Sequence, residues 1–194
     1  MISPNHTGYM HMALRLARQQ LGRTFPNPSV GCVIVKDARI IGIGATNAGG
    51  RPHAETIALA MAGDEAKDAT LYVTLEPCAH HGKTPPCAEA IITAGIQTVV
   101  CACHDPDERT NGQGIKAVRD AGITVVEGIC EKEAQELNEG FIRRVQENRP
   151  FITMKLASTL DSKIATASVI IVEQYHVSHT FILVIETNKI FHFS

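Results

Sequence analysis

The chain has 194 residues, 18 basic against 20 acidic for a formal charge of -2, and is 44% hydrophobic and 20% charged. Those proportions exclude a disordered or fibrous chain and leave a globular one, with a sizeable core filled mainly by aliphatic residues because tryptophan is absent. No run of Lys and Arg offers a polyanion-binding face, so no nucleic-acid partner is expected.

In chain order, the opening residues Met1-Ile2-Ser3-Pro4-Asn5-His6 lack the basic and apolar regions of a signal peptide. Met10, Ala13, Leu14, Ala17 and Leu21 follow the spacing of an amphipathic helix that Gly22 ends. Gly31–Val35 and Ile40–Gly44, flanking Lys36-Asp37-Ala38-Arg39, predict a hairpin. A second helical stripe runs through Ala54, Ile57, Ala58 and Met61, and Leu71–Leu75 reads as a buried strand. Beyond a long polar loop, Ala88, Ile91 and Ile92 predict a third helix that stops at Gly95. Strand and helix signals then alternate through Thr98–Cys103, Ile115–Ala121, Ile123–Glu127 and Ala134–Val145, the last read as one helix. A hairpin followed by this alternation implies an α/β fold, a three-layer α/β/α sandwich around a mixed central sheet.

Arg149-Pro150 marks a boundary, because proline disfavours helix at the residue before it. The expected units are 1–148, 149–168 and a tail of 169–194. Phe151–Ala157 reads as a strand, with a turn near Asp161-Ser162-Lys163. The tail is rich in Val, Ile, Phe and Thr and reads as strand-prone material with no sheet to join. Its apolar stretches, Val169–Val172 and Phe181–Ile185, are too short to span a bilayer, so no membrane partner is expected and the location is cytoplasmic. In that reducing compartment six cysteines point to metal or thiol chemistry before disulfides.

The chemistry concentrates in Pro52-His53-Ala54-Glu55, Glu76-Pro77-Cys78 and Pro85-Pro86-Cys87. One imidazole and two thiolates suit zinc, balance its charge and leave a fourth position for water, whose pKa the metal lowers. His53 and Cys87 each begin a predicted helix, where N–H groups and positive potential favour thiolate. Glu55 lies two residues past His53, about 200° around a helix of ~3.6 residues per turn. It should therefore not ligate the same ion but reach the bound water and carry its proton. This is the zinc-deaminase order, H-x-E with a downstream P-C…C. A closed structural site would need a fourth protein ligand, for which His80 or His81 stand in the loop. In that alternative the chain is a zinc-stabilised pseudoenzyme or interaction module, and Glu55 is dispensable. Cys32, Cys101 and Cys103 read as small core hydrophobes, although Cys101, Cys103 and His104 could form a second site. Cys130 has no evident partner, and His11 carries no functional spacing.

Eight residues separate Cys78 from Cys87, not the two of the editing and free-nucleoside deaminases. The string EPCAHHGKTPPC resembles the deaminase half of the bifunctional riboflavin-biosynthesis deaminase–reductases of the cytidine-deaminase-like superfamily. FPNPSVGCVIV from Phe25, GGRPHAE from Gly49 and DPDERTNGQG from Asp105 resemble the same family. The resemblance implies hydrolytic deamination of a diaminohydroxyphosphoribosylaminopyrimidine, a phosphorylated small molecule, by zinc-bound hydroxide with Glu55 as proton shuttle. It implies that Asn27 holds the base, that His80, Lys83 and Asp105 line the pocket, and that Lys83 lies nearest the phosphate. From the residues alone, Asn27 between two prolines could be a turn residue and Lys83 a solvated one. Many family members carry histidine where Thr46 stands. Arg149–Ala157 resembles the first strand of the family's reductase domain, but the resemblance stops at about Ser168. The chain therefore reads as truncated or frame-shifted, with reductase activity absent and NADPH not expected to bind. The superfamily resemblance implies a homo-oligomer.

Overall fold

The computed structural model describes residues 5–80, 85–108, 110–155, 174–177 and 180–184. The first helix, α1 (His6–Gln19), starts at Asn5, whose side chain accepts from Gly8 N–H. It buries Met10, Ala13, Leu14 and Ala17, whereas Leu21 lies past its end and is exposed. The hairpin is β1 (Gly31–Lys36) and β2 (Arg39–Ala45). Asp37 and Ala38 both have positive φ, the turn whose twist matches paired strands.

Helix α2 (Ala54–Ala62) buries Ala54, Glu55, Ala58 and Ala62 while Met61 stands exposed, so its inner face is rotated from the expected stripe. Small residues on that face let α2 lie close on the sheet. A Cβ on Gly44 of β2 would overlap the Ala54 carbonyl oxygen. Strand β3 (Thr70–Val73), helix α3 (Cys87–Thr93), strand β4 (Thr98–Cys101), helix α4 (Gln113–Asp120) and strand β5 (Thr124–Glu127) follow.

The five strands form one mixed sheet in the order β2-β1-β3-β4-β5. Pairing is antiparallel from β2 to β3 and parallel from β3 to β5. Side chains of β3 and β4 are buried on both faces, as their continuous apolar runs require. Helix α1 packs on β1 to β3, while α2 covers the hairpin and adjoins α3, which adjoins α4. This is the expected α/β/α sandwich. Both βα loops that carry the site leave the carboxyl ends of the parallel strands β3 and β4, the usual place for a ligand crevice.

The stretch expected as one helix is two, α5 (Glu131–Leu137) and α6 (Glu139–Glu147), broken at Asn138. The Asn138 side chain is drawn into the core by the Ser29 backbone. Its Oδ1 accepts from Ser29 N–H and its Nδ2 donates to Ser29 C=O, both at 2.9 Å. A buried amide paired in this way outweighs helix continuity. After it, β6 (Phe151–Lys155) pairs in parallel with β8 (Thr180–Val184), which pairs antiparallel with β7 (Gln174–Val177). Tail segments expected to lack a sheet partner thus form a separate three-stranded sheet in the order β6-β8-β7. Among the described residues no helix is long and apolar enough to cross a membrane.

Candidate active site

His53 caps the start of α2 and Cys87 is the first residue of α3, so two helix N-termini face one point. Cys78 arrives from the loop after β3. His53 Nδ1 lies 3.3 Å from Cys87 Sγ and 3.7 Å from Cys78 Sγ, and the Cys87 N–H donates to Cys78 Sγ at 3.4 Å. Zinc–ligand bonds of the usual length in a tetrahedron put such N and S atoms about 3.5 Å apart. The donor set and its spacing therefore fit a zinc ion. His80 is not among these donors; its Nδ1 lies 3.3 Å from Thr110 Oγ1. Lys83 and His81 lie outside the described residues.

Protons are shared within this cluster. Hydrogen bonding from Cys87 and His53 holds the Cys78 thiol down, to about 4, against its partial burial. The pairing with Cys78, then burial, pushes the Cys87 thiol up. The Cys78 hydrogen bond raises His53. Beside them Glu55 is 3% exposed, and burial pushes its carboxyl up to about 7. Glu55 is outside the metal-donor group and lines the same cleft as His53 and Cys78.

The same cleft is also lined by Asn27, Thr46, His80 and Asp105. Asn27 Nδ2 donates to the Gly50 carbonyl at 2.7 Å and lies 3.3 Å from His53 Nε2, beside the imidazole. Thr46 is buried, accepting from Val30 N–H at 3.1 Å, and so ties the hairpin rather than offering charge. Asp105 Oδ1 accepts from Asp107 N–H at 2.9 Å. Arg51 and Arg144 also line the cleft; Arg144 Nη2 donates to the Pro26 carbonyl at 2.8 Å.

Burial pushes the Asp105 carboxyl from 3.8 up to about 6. With the folded value raised, the native state holds more protons between those limits, and stability falls as pH rises through them. Asp105→Asn should therefore raise thermal stability by about 1–3 kcal/mol above pH 6. The gain should vanish below about pH 4. A melting series across that range checks it; a gain independent of pH would mean that charge burial is not the cause.

Glu76 and Thr110 were not assigned roles from sequence, yet both are buried here. The available signal was an acid directly after a buried strand, which demands partners. Cys101 donates to Cys103 C=O, Cys103 donates to Thr74 C=O, and His104 faces Glu76 and Glu127, so these three form no metal-donor group. A second donor group does occur, His11, Cys130 and Glu133 on the outer surface. Neither His11 nor Cys130 showed a partner in the sequence.

Residues 3–103, over half of the 194-residue chain, match the cytidine and deoxycytidylate deaminase zinc-binding region. The chain belongs to this family. It is 52% identical over 166 residues to the riboflavin biosynthesis protein RibD of Aquifex aeolicus, covering 86% of this chain and 47% of that protein. The Thermotoga maritima diaminohydroxyphosphoribosylaminopyrimidine deaminase/5-amino-6-(5-phosphoribosylamino)uracil reductase superimposes with a TM-score of 0.79 at 48% identity, over 84% of this chain and 47% of that one. Aspergillus oryzae Rib2 deaminase in complex with DARIPP gives 0.60 at 25% identity, over 73% of this chain and 94% of that one. The chain spans about half the length of the bacterial relatives it matches.

Proposed function

We propose that this chain hydrolytically deaminates a diaminohydroxyphosphoribosylaminopyrimidine in riboflavin biosynthesis. The observation that carries the reading is the convergence of His53, Cys78 and Cys87 as a donor group, with the buried Glu55 lining the cleft that His53 and Cys78 enter. Likeness to RibD and Rib2 deaminases supports the substrate class.

His53, Cys78 and Cys87 would hold one zinc, which supplies an activated water when bound. Glu55 would carry one proton of the attacking water to the ring nitrogen as its oxygen bonds to the amine-bearing carbon. It would then carry the proton of the new hydroxyl to the amine as the carbon–nitrogen bond breaks, so that ammonia leaves and a carbonyl remains. Asn27 holds the base, and Asp105 and His80 form the wall. Lys83 meets the phosphate, helped by the positive charge of Arg51 and Arg144 on the same cleft. On this reading the deaminase unit is 1–148, 149–168 is the first segment of a reductase-like domain, and 169–194 is an unrelated tail. The proposal covers deamination alone, in the cytoplasm.

Lys83→Ala should raise KM for the ribotide by about tenfold with kcat little changed, the mark of lost ground-state binding. The test is ammonia release from the ribotide, its dephosphorylated form, cytidine and dCMP. Preference for the ribotide that Lys83→Ala erases supports the reading. Equal losses on phosphorylated and dephosphorylated forms remove the phosphate role, and preference for dCMP or cytidine replaces the substrate.

A further inference from the structure

Glu76 is 3% exposed and sits two residues before Cys78, yet it is no metal donor. Its carboxylate grips both the loop after β4 and the first turn of α4, into which that loop runs. Oε2 accepts from Gly112 N–H at 2.9 Å and Asp105 N–H at 3.3 Å, and His104 Nδ1 lies 3.2 Å away. Oε1 accepts from Gly114 N–H at 2.9 Å and Ile115 N–H at 3.1 Å. The Glu76 N–H donates to Cys103 C=O at 3.0 Å, so main chain and side chain close on the same segment.

The Cys78 loop also touches α4 directly. A Cβ on Gly114 would overlap the Pro77 carbonyl oxygen, so only glycine lets the first turn of α4 come this near to the residue preceding Cys78. His80 of the Cys78 loop also faces the buried Thr110 of the loop after β4. One clamped unit thus carries a metal donor on one side and the buried Asp105 on the other. An ionised carboxylate facing several N–H donors is a strong and directional anchor. Replacing it leaves buried N–H groups unpaired and lets the loop relax.

We propose that Glu76 is a positioning residue: by clamping residues 104–115 to the Cys78 loop it fixes Asp105 as the pocket wall facing the metal site. The role of Asp105 toward substrate rests on the function proposed above. A merely structural Glu76 would lower the melting temperature and leave KM of the folded protein unchanged.

The test uses zinc-loaded Glu76→Gln, Asp105→Asn and the double variant, assayed well below their melting points, with amide exchange followed in parallel. Expected for Glu76→Gln are retained zinc, KM for the ribotide raised about tenfold, and little further loss in the Asp105→Asn background, the non-additivity of coupled sites. Amides of Asp105, Gly112, Gly114 and Ile115 should exchange faster while those of β1 and β3 keep their protection. An unchanged KM, or multiplying losses in the double variant, overturns the proposal. If Glu76→Gln does not fold, Glu76→Asp keeps the charge but shortens its reach and should show the same KM shift; its absence overturns the proposal equally. If the wild type does not turn over the ribotide, it is the substrate reading that fails. Exchange then decides: acceleration confined to 104–115 supports the clamp, and acceleration spread over the sheet refutes it.

Discussion

Glu55→Gln is expected to retain zinc and fold while lowering ammonia release by about two to four orders of magnitude, the usual contribution of a positioned proton-transfer group. The side chain is isosteric, so the packing of the first turn of α2 at the cleft is preserved. Its carboxyl is buried and outside the donor group, so metal affinity should hardly move. Removing the burial of a charge should leave the variant at least as stable as the parent. Zinc content, melting temperature and turnover measured on one preparation separate these effects. Near-full turnover would deny Glu55 its proton role and favour the alternative of a zinc-stabilised interaction module. Loss of zinc together with activity would instead make Glu55 part of the metal site.

Cys78→Ser should have the other large effect, on metal retention. Ligands must bind deprotonated, and here the Cys78 thiol is held down by hydrogen bonding from Cys87 and His53. A serine hydroxyl does not ionise in this range, so the ion loses an anionic donor as well as a bond. Loss of an outer partner alone costs 10–100-fold in affinity as an order of magnitude, so losing this donor should cost more than about 100-fold. Competition against a chromophoric chelator reads the change without reference to activity. Because binding energy is folding energy at such sites, the variant should also melt at the temperature of the metal-stripped parent. Affinity within a few fold of the parent would show that another group, such as a residue of the loop beyond His80, completes the site.

Much of this was legible in the residues. His53 and Cys87 were placed at helix starts because apolar stripes began just after them, and both stand there. The mixed sheet followed from a hairpin signal and then alternating strand and helix signals. Where sequence reasoning failed, a tertiary contact decided. Asn138 breaks a continuous helical stripe because Ser29, distant in sequence, takes both its amide atoms. Met61 fits a helical period but is exposed, because the close approach of α2 to Gly42 and Gly44 of the hairpin selects alanines instead. Glu76 could be read only as part of a motif; its partners lie in a loop that no local pattern links to it. The tail looked partnerless because pairing between β6 and β8 is non-local.

On the function proposed, one metal at His53, Cys78 and Cys87 makes this cleft a deaminase. The most direct test is ammonia release from the ribotide by metal-stripped protein as zinc is added back, with bound zinc measured in each sample. The expected result is no release without zinc, a linear rise with occupancy, and a plateau when the site is filled. Release that is independent of bound zinc, or none at full occupancy on any aminopyrimidine or nucleotide offered, would contradict it.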